Sequence, residues 1–366
     1  MSSLREQRLE RLREKLRERG WNAALLTSPV SLGYLTGYSS DPMERFLALW
    51  VPAEGETILF VPELDKAKAA AAENIGRFVP LADSESPYGA LSKEIGEQPA
   101  RCGVEKKTLT LHAGEQLALL WPGTRWEEID SALSRIVGCK TREEAETVRQ
   151  AAHIANEAVE RALADFRIGM TEREIAERIV RQIRLLGGDG PAFYPTVLAG
   201  ERAGLPHGET GDTAVREGDF LLIDMGVSLD GYLSDMTRTL LVGQGTAEQE
   251  RMYEAVAEAN RRAIEAIRPG VALRAIDAVA RSWIEAQGFG EYFIHRVGHG
   301  LGRAIHEEPS IHGGNADIIV PGMLFTIEPG VYVPGGGGVR IEDDVYVNEY
   351  GETERLTDFP RELRRL

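Results

Sequence analysis

The sequence predicts an α+β protein of two domains, an α/β domain followed by a domain made of two similar halves. The first third of the chain alternates short apolar segments with helical patterns. A long, charged, helix-forming stretch then begins near residue 140, and the segment 161–175 recurs in similar form at 262–276. At 366 residues the chain is long enough to build two buried cores.

Hydrophobic spacing predicts the elements of the first domain. Residues 4–19 place three leucines on one face of a helix, and AALLTS, RFLALWVP and ETILFVP are typical of buried strands. ELDKAKAAAAENI and HAGEQLALL predict helices, and RCGVEK predicts a later strand. The stretch KTREEAETVRQAAHIANEAVERAL has a different character, so the boundary falls within 131–142. We place it between two predicted domains, 1–135 and 136–366.

The second domain contains an internal repeat. RALADFRIGMTEREI aligns with RAIEAIRPGVALRAI through Gly169 and Gly270, and both segments have a helix, a glycine stop and a second helix. GDFLLID similarly resembles GMLFTIE, since in each a glycine opens a strand and a carboxylate closes it. The repeat therefore predicts two halves with helices outside and a strand pair inside, each half carrying an acidic residue on a strand.

Four carboxylates lie in matched strand–turn settings. Asp224 and Asp235 flank an Asp-Gly turn, so a hairpin there would bring both to one face of the strand pair. Glu328 and Glu342 flank VPGGGG in the same way. Buried like charges repel, so such a group requires either shared protons or bound cations. With a nitrogen from His299, which lies between glycines, the group would be an oxygen-rich site for two divalent ions.

Each of these residues also has an ordinary structural interpretation. A single acid of this kind is more typical of a turn cap, an ion pair or a solvated group, and a single histidine is more often a hydrogen-bonded structural residue. The joint occurrence of four acids in matched contexts and a glycine-flanked histidine favours the metal site. A proton-sharing carboxylate pair is the alternative that spacing leaves open.

Composition argues against several functional classes. The formal net charge of −16 disfavours a nucleic-acid partner, which would select basic stripes. No apolar run approaches the roughly 20 residues of a membrane span, and the charged start lacks the apolar core of a signal peptide. Cys102 and Cys139 lie far apart and outside any CxxC, so we expect no disulfide framework and a cytoplasmic protein.

Four motifs together resemble a known family. IDMGVSLDGYLSDMTRT, HRVGHGLGRAIHE, FTIEPGVY and GVRIEDD are similar to successive motifs of the pita-bread metallopeptidases, which include methionine aminopeptidase, aminopeptidase P and prolidase. The likeness covers roughly residues 140–360 and implies a pseudo-symmetric pita-bread catalytic domain with two divalent ions. The metal ligands of the family fall on Asp224, Asp235, His299, Glu328 and Glu342.

The resemblance implies roles for further residues. His207, in LPHGE, matches a histidine that contacts the substrate carbonyl, although spacing alone would make it a loop histidine before a glycine. His306 matches a histidine at the scissile bond, and His295 matches one that lines the substrate pocket. Tyr332 and Arg340 match residues that orient the metal ligands.

The first domain indicates which branch of the family the sequence resembles most. Methionine aminopeptidases usually lack an α/β domain of this size, whereas prolidases, aminopeptidases P and creatinases carry a creatinase-like one. The loop in YLTGYSSDPMERFLALWV is most similar to that of bacterial Xaa-Pro dipeptidases, where it reaches toward the partner's active site in a homodimer. Asp41, Glu44 and Arg45 match that pattern, but Met43 replaces its histidine. An exposed charged loop is the alternative interpretation.

The resemblance as a whole implies an Xaa-Pro dipeptidase, or prolidase, that acts on proline-containing dipeptides as a homodimer. The bond before proline is a tertiary amide without an N–H, so peptidases that need that donor cannot use it. Glu328 is expected to act as the base, and Arg296 or Arg45 to bind the terminal carboxylate. Manganese is the expected metal, and cobalt or zinc would suit the same ligands.

Three other functions share part of this pattern. Aminopeptidase P would cleave the same bond but tolerate residues after proline. A creatinase-type hydrolase has both domains but works without metals, and the complete ligand set argues against it. A non-catalytic peptide-binding relative would be expected to have lost ligands.

Overall fold

The division of the chain follows its last N-terminal helix. The computed structural model describes residues 3–366 and separates into a first unit that ends at Val137 and a second unit, Gly138–Leu366. The helix Asp130–Val137 closes the first unit. Both units combine helices with strands, which confirms the predicted α+β class.

The first unit contains a six-stranded mixed sheet in the order β4–β3–β2–β1–β5–β6. The central strands β1, β2 and β3 pair antiparallel, and the outer pairings are parallel. Its elements are α1 (Leu4–Arg19), β1 (Ala23–Leu26), α2 (Pro29–Thr36), β2 (Ala48–Pro52), β3 (Ile58–Pro62), α3 (Lys66–Ala69), β4 (Arg77–Leu81), α4 (Pro87–Ile95), β5 (Arg101–Val104), α5 (Leu111–Leu120), β6 (Arg125–Glu128) and α6 (Asp130–Val137).

Helix α1 forms where the leucine spacing predicts it. Ser3 and Glu6 close a capping box at its start, and Gly20 ends it in the left-handed region with φ 63°. Leu12 and Leu16 are fully buried on its inner face. The sequence thus specifies both the ends and the orientation of this helix.

The helix predicted over ELDKAKAAAAENI is wrong in its extent. Only a 3₁₀ turn at Glu63–Asp65 and the short α3 form there. The backbone N–H of Glu73 donates to the carbonyl of Thr36, and Asn74 has φ 57°, so the chain has left the helical path. A tertiary hydrogen bond here overrides the helix propensity of the alanines.

The second unit contains the predicted repeat of helix pairs and strand pairs. Gly169 and Gly270 both have positive φ, 95° and 85°, which explains glycine at both helix stops. The elements are α7 (Arg142–Leu163), α8 (Glu172–Leu185), β7 (Gly190–Pro191), β8 (Thr196–Ala199), β9 (Phe220–Met225), β10 (Val227–Leu229), β11 (Tyr232–Leu233), β12 (Met236–Leu241), α9 (Ala247–Ala266), α10 (Leu273–Ala286), β13 (Gly298–Gly300), β14 (Glu307–Ile311), β15 (Leu324–Ile327), β16 (Gly330–Val333), β17 (Gly337–Arg340), β18 (Asp343–Val347) and β19 (Thr353–Arg355).

Strand β9 lies between two hydrophobic layers. Leu221 and Ile223 pack in a cluster with buried residues of α7 and α8, whereas Phe220 and Leu222 join a cluster with residues of α9 and α10. Burial on both faces explains the continuous apolar run of this strand. Asp224 lies in the same strand, directly after Ile223, so a strand covered on both faces sets its position.

No helix within residues 3–366 combines the length and apolar character that crossing a bilayer requires.

Candidate metal centre

The first pair of acids belongs to the β9–β12 ladder. Asp224 is paired with Thr237, and Asp235 precedes β12 two residues before that threonine. Because side chains alternate along a strand, Asp235 and Thr237 lie on the same face, diagonal and opposite to Asp224. The chain reverses between them at Asp230 and Gly231, whose φ angles of 49° and 74° suit a tight hairpin turn.

The second pair of acids lies between two other ladders. Ile327 pairs with Asp343 on β15–β18, and Gly330 pairs with Arg340 on β16–β17. Glu328 and Glu342 fall between these pairs in the same register, directly across from each other. The backbone N–H of Glu342 donates to the carbonyl of Thr237 at 3.1 Å, which joins this pair to the first.

His299 reaches the acids from β13, where the residue is 2% exposed. A Cβ at Gly298 would lie 2.0 Å from the carbonyl oxygen of Thr326, and one at Gly300 would lie 2.3 Å from that of Glu308. The two flanking glycines therefore permit a close backbone approach that other residues would block.

The ring of His299 presents one nitrogen to the carboxylates. Nδ1 lies 3.1 Å from the carbonyl oxygen of Gly300, and a proton there leaves the lone pair of Nε2 free. Nε2 lies 3.3 Å from Glu328 Oε1 and 3.7 Å from Asp235 Oδ2. The histidine is thus oriented as a nitrogen ligand.

The ligand atoms form a compact group that fits a cation. One ligand atom each from Asp235, His299 and Glu342 lies within 4.8 Å of the others. Among the described residues, buried oxygens of Asp224 (Oδ1), Asp235 (Oδ1) and Glu342 (Oε1) have no hydrogen-bond partner. Buried polar atoms rarely remain unsatisfied, so these oxygens are available to coordinate a divalent ion.

The electrostatics agree with this assignment. Burial, followed by neighbouring carboxylates, raises the pKa values of Asp235 and Glu342 well above their usual range, and burial raises that of Glu328 to about 7. Burial and then the neighbouring His306 lower the pKa of His299 to about 3, so its ring stays neutral. A divalent cation would compensate the cost of ionising these acids, because it favours the carboxylate form.

A network of side-chain hydrogen bonds lies beside the acids. The guanidinium of Arg340 pairs with Asp224, donates through Nε to Thr237 Oγ1 at 3.0 Å and through Nη1 to the Tyr332 hydroxyl at 2.9 Å. The same hydroxyl lies 2.9 Å from His295 Nε2. Arg340 thus contacts the predicted ligand Asp224 directly, and Tyr332 is linked to that acid through Arg340.

The acids line a cavity of about 690 Å³ whose lining residues all belong to the second unit. Phe193, Pro206 and Ile305 form an apolar wall of this cavity. The predicted residues other than the metal ligands that also line it are His207, His295, Arg296, His306, Tyr332 and Arg340. The ring of His306 lies edge-on to His299, with 4.3 Å between centroids.

Arg45 lies in the first unit. Its Nε is 2.9 Å from Asp83 and its Nη1 is 3.0 Å from Glu44. These exposed pairs agree with the alternative interpretation of a charged surface loop.

Sequence reasoning missed two residues that hold the acids in place. Thr237 Oγ1 donates to Glu342 Oε2 at 2.6 Å, and Asp344 Oδ2 accepts the backbone N–H of Asp235 at 3.0 Å. Both lie inside motifs already singled out, in DMTRT and RIEDD. The signal was therefore present, but only the strand register connects each residue to the opposite hairpin.

Comparison with known proteins gives consistent results. The family model described as Metallopeptidase family M24 matches residues 146–349, and that of the Creatinase/Prolidase N-terminal domain matches residues 8–136. These matches confirm the predicted creatinase-like domain followed by a pita-bread catalytic domain.

Three solved structures are similar over nearly their whole length. A dipeptidase from Pyrococcus horikoshii OT3 is 39% identical, with a TM-score of 0.89 and coverage of 98% of this chain and 100% of that one. A prolidase from Thermococcus sibiricus is 33% identical, with a TM-score of 0.93 and complete coverage of both chains, 100% each. An Xaa-Pro dipeptidase from Bacillus anthracis is 30% identical, with a TM-score of 0.90 and coverage of 99% and 100%.

Proposed function

Because the chain belongs to Metallopeptidase family M24, we propose that it hydrolyses Xaa-Pro dipeptides with two divalent metal ions. The observation that carries this proposal is the convergence of orphaned carboxylate oxygens and a neutral histidine in one cavity. The similar structures described as a prolidase and an Xaa-Pro dipeptidase support the choice of substrate.

The residues that would hold the metal ions are Asp224, Asp235, His299, Glu328 and Glu342. Their donor set of four carboxylates and one imidazole suits hard or borderline divalent ions. When bound, such ions would polarise the substrate carbonyl and lower the pKa of water from 15.7 to about 7.

The protein's own residues would move the protons and bind the carbonyl. Glu328 would accept a proton from the attacking water and deliver it to the departing proline nitrogen, which has no hydrogen of its own before cleavage. His207 would donate a hydrogen bond to the carbonyl oxygen as negative charge develops there. His306 lies against His299 and would contact the scissile group.

Two neighbouring residues that line the cavity would contact the substrate. Arg296 lines the cavity and would bind the terminal carboxylate of the dipeptide, with Ser310 Oγ 3.2 Å from its Nη1. His295, held by the Tyr332 hydroxyl, would line the substrate pocket. Arg45 stays a second candidate for the carboxylate, on the resemblance alone.

Manganese, a homodimer and a cytoplasmic location are further parts of the proposal that rest on the resemblance and, for the location, on the two free cysteines. Elemental analysis of the purified protein, light scattering and cell fractionation measure them directly.

A comparison of substrates tests the function. With manganese, we expect hydrolysis of Ala-Pro and little hydrolysis of Ala-Pro-Ala, and we expect a chelator to abolish both. Preference for the tripeptide would favour aminopeptidase P activity instead. Turnover that survives complete removal of metal would contradict the proposal, as would a metal-loaded protein that cleaves neither peptide.

A further inference from the structure

We propose that Glu172, a residue with no catalytic contact, positions His207 by clamping both ends of the loop that carries it. The inference rests on the proposed function, in which His207 binds the substrate carbonyl. Glu172 lies in the first turn of α8 and is 0% exposed. His207 is exposed at the cavity, so packing around its own side chain does little to fix its position.

The carboxylate of Glu172 reaches both ends of the segment 199–211. Oε1 accepts the backbone N–H of Ala199 at 2.9 Å and Nε of Arg202 at 2.9 Å. Oε2 accepts the backbone N–H of Gly211 at 2.8 Å and lies 3.2 Å from the same Arg202 Nε. One buried side chain thus joins the residues before and after His207.

Further contacts within the loop transmit this constraint. The guanidinium of Arg202 also donates to the carbonyl of Glu209, two residues after His207. A Cβ at Gly211 would lie 3.3 Å from Glu172 Oε2, so the close approach of loop and carboxylate favours glycine there. The backbone N–H of Arg173 returns a bond to the carbonyl of Gly211 at 3.0 Å. The loop is therefore docked on the start of α8 at several points.

The chemistry requires a carboxylate at this position. All the groups that the Glu172 carboxylate contacts are donors, and a glutamine would turn its NH₂ toward at least one of them. The loss of at least one of these hydrogen bonds would displace the loop without removing a residue that lines the cavity. A displacement of about 1 Å in a catalytic group can lower turnover by about 100-fold, so we expect E172Q to lower kcat by about 10- to 100-fold.

A double-mutant cycle separates positioning from general damage. We would measure kcat and KM for Ala-Pro in the metal-loaded wild type, E172Q, H207A and the double variant. If Glu172 acts through His207, E172Q lowers kcat in the wild type with little change in KM and has almost no further effect in H207A. Equal losses in both backgrounds, or an unchanged kcat in E172Q, would overturn the proposal.

E105Q is the matched control for loss of a buried hydrogen-bonded glutamate. Glu105 accepts its bonds from Thr27, Ser28 and Ser31, all within the first unit. We expect E105Q to lower stability as E172Q does but to keep the kcat of the wild type.

Hydrogen exchange of the loop provides a readout that does not depend on activity. We expect the amides of Leu205 and of residues 207–211 to exchange faster in E172Q than in the wild type, and E172D, with its charge kept but its reach shortened, to show a smaller change. Unchanged exchange in both variants would refute the clamp; should E172Q fail to fold, E172D alone decides. If the wild type cleaved no Xaa-Pro dipeptide, the proposed function would be contradicted. The exchange data would still test whether Glu172 holds the loop.

Discussion

Glu105 in the first unit and Glu342 in the second are almost equally buried, at 4% and 2% exposed, but their surroundings differ. Both oxygens of Glu105 are satisfied, since they accept the N–H groups of Thr27 and Ser28 and the hydroxyl of Ser31. Glu342 accepts one bond, from Thr237, and its second oxygen has no partner among the described residues. Burial raises the pKa of both carboxyls, so burial alone does not distinguish a structural acid from a functional one.

Orphaned oxygens alone do not mark a metal ligand either. Asp343 and Asp344, the next two residues, each keep one buried oxygen that has no hydrogen-bond partner within residues 3–366. Their other oxygens are used inside the fold: that of Asp343 pairs with Arg238 at 2.6 Å, and that of Asp344 accepts the N–H of Asp235. What separates Glu342 is the presence of other ligand atoms beside it and of a cavity in front of it.

Replacement of Glu342, the acid with an oxygen left unpaired, is expected to have the largest effect on activity. E342A should lose bound metal and lower kcat/KM by about 10³-fold or more, because a metal ion supplies several kcal/mol of charge stabilisation and each 1.4 kcal/mol is tenfold. The measurements are metal content and Ala-Pro hydrolysis, with E105Q as the control that keeps both. A fully loaded and fully active E342A would remove Glu342 from the site and erase the contrast with Glu105.

For stability, the two variants are expected to rank in the opposite order. In metal-free protein, E105Q should lower the free energy of unfolding by about 1–3 kcal/mol, because it disturbs a satisfied buried acceptor. E342Q should change it by less, or raise it, because burial and then repulsion from Glu328 and Asp224 raise the pKa of Glu342, and a neutral amide avoids both costs of a charge there. Urea unfolding in the presence of a chelator compares the two variants. A larger loss of stability in E342Q than in E105Q would show that the two acids are alike.

The sequence identified the acids better than the residues that support them. Asp224 and Asp235 share one hairpin, so local spacing and the Asp-Gly turn were enough to predict that they lie on one face. The bond from Thr237 to Glu342 joins residues 105 positions apart in different hairpins, and no local pattern encodes it. The donors of Glu172 are backbone groups, which a sequence does not display.

The error in the predicted length of the helix after β3 has a related cause. The alanines of ELDKAKAAAAENI favour a helix locally, but the bond from Glu73 to Thr36 is a tertiary contact that the pattern does not contain. Periodicity therefore predicts elements that bury a continuous face, as in α1, and is less informative where a single contact redirects the chain.

A partly exposed acid, Glu258, provides the third case and the smallest expected effect. Glu258 on α9 accepts two bonds from Arg261, at 2.6 and 2.7 Å, and one from Arg262 at 2.7 Å. The hydrogen bonds from Arg261 are the main reason that the pKa of Glu258 falls to about 2. The oxygens of Glu258 are hydrogen-bonded, as those of Glu105 are, but water competes for each of these bonds. We therefore expect E258Q to lower the free energy of unfolding by only about 0.5–1 kcal/mol at pH 7.

The direction of the pKa shift fixes the pH dependence of that cost. Because the pKa of Glu258 is lower in the folded state than the value of about 4.3 expected in the unfolded chain, the carboxylate stabilises the fold above that value. The contribution is lost as the pH falls through the folded pKa of about 2. The difference in unfolding free energy between wild type and E258Q should therefore shrink between about pH 5 and pH 2, and shrink further in salt, which screens exposed charges. A difference that stays constant over this range would mean that Glu258 stabilises α9 by its shape and not by its charge, and exposure to water would then not be what sets it apart from Glu105.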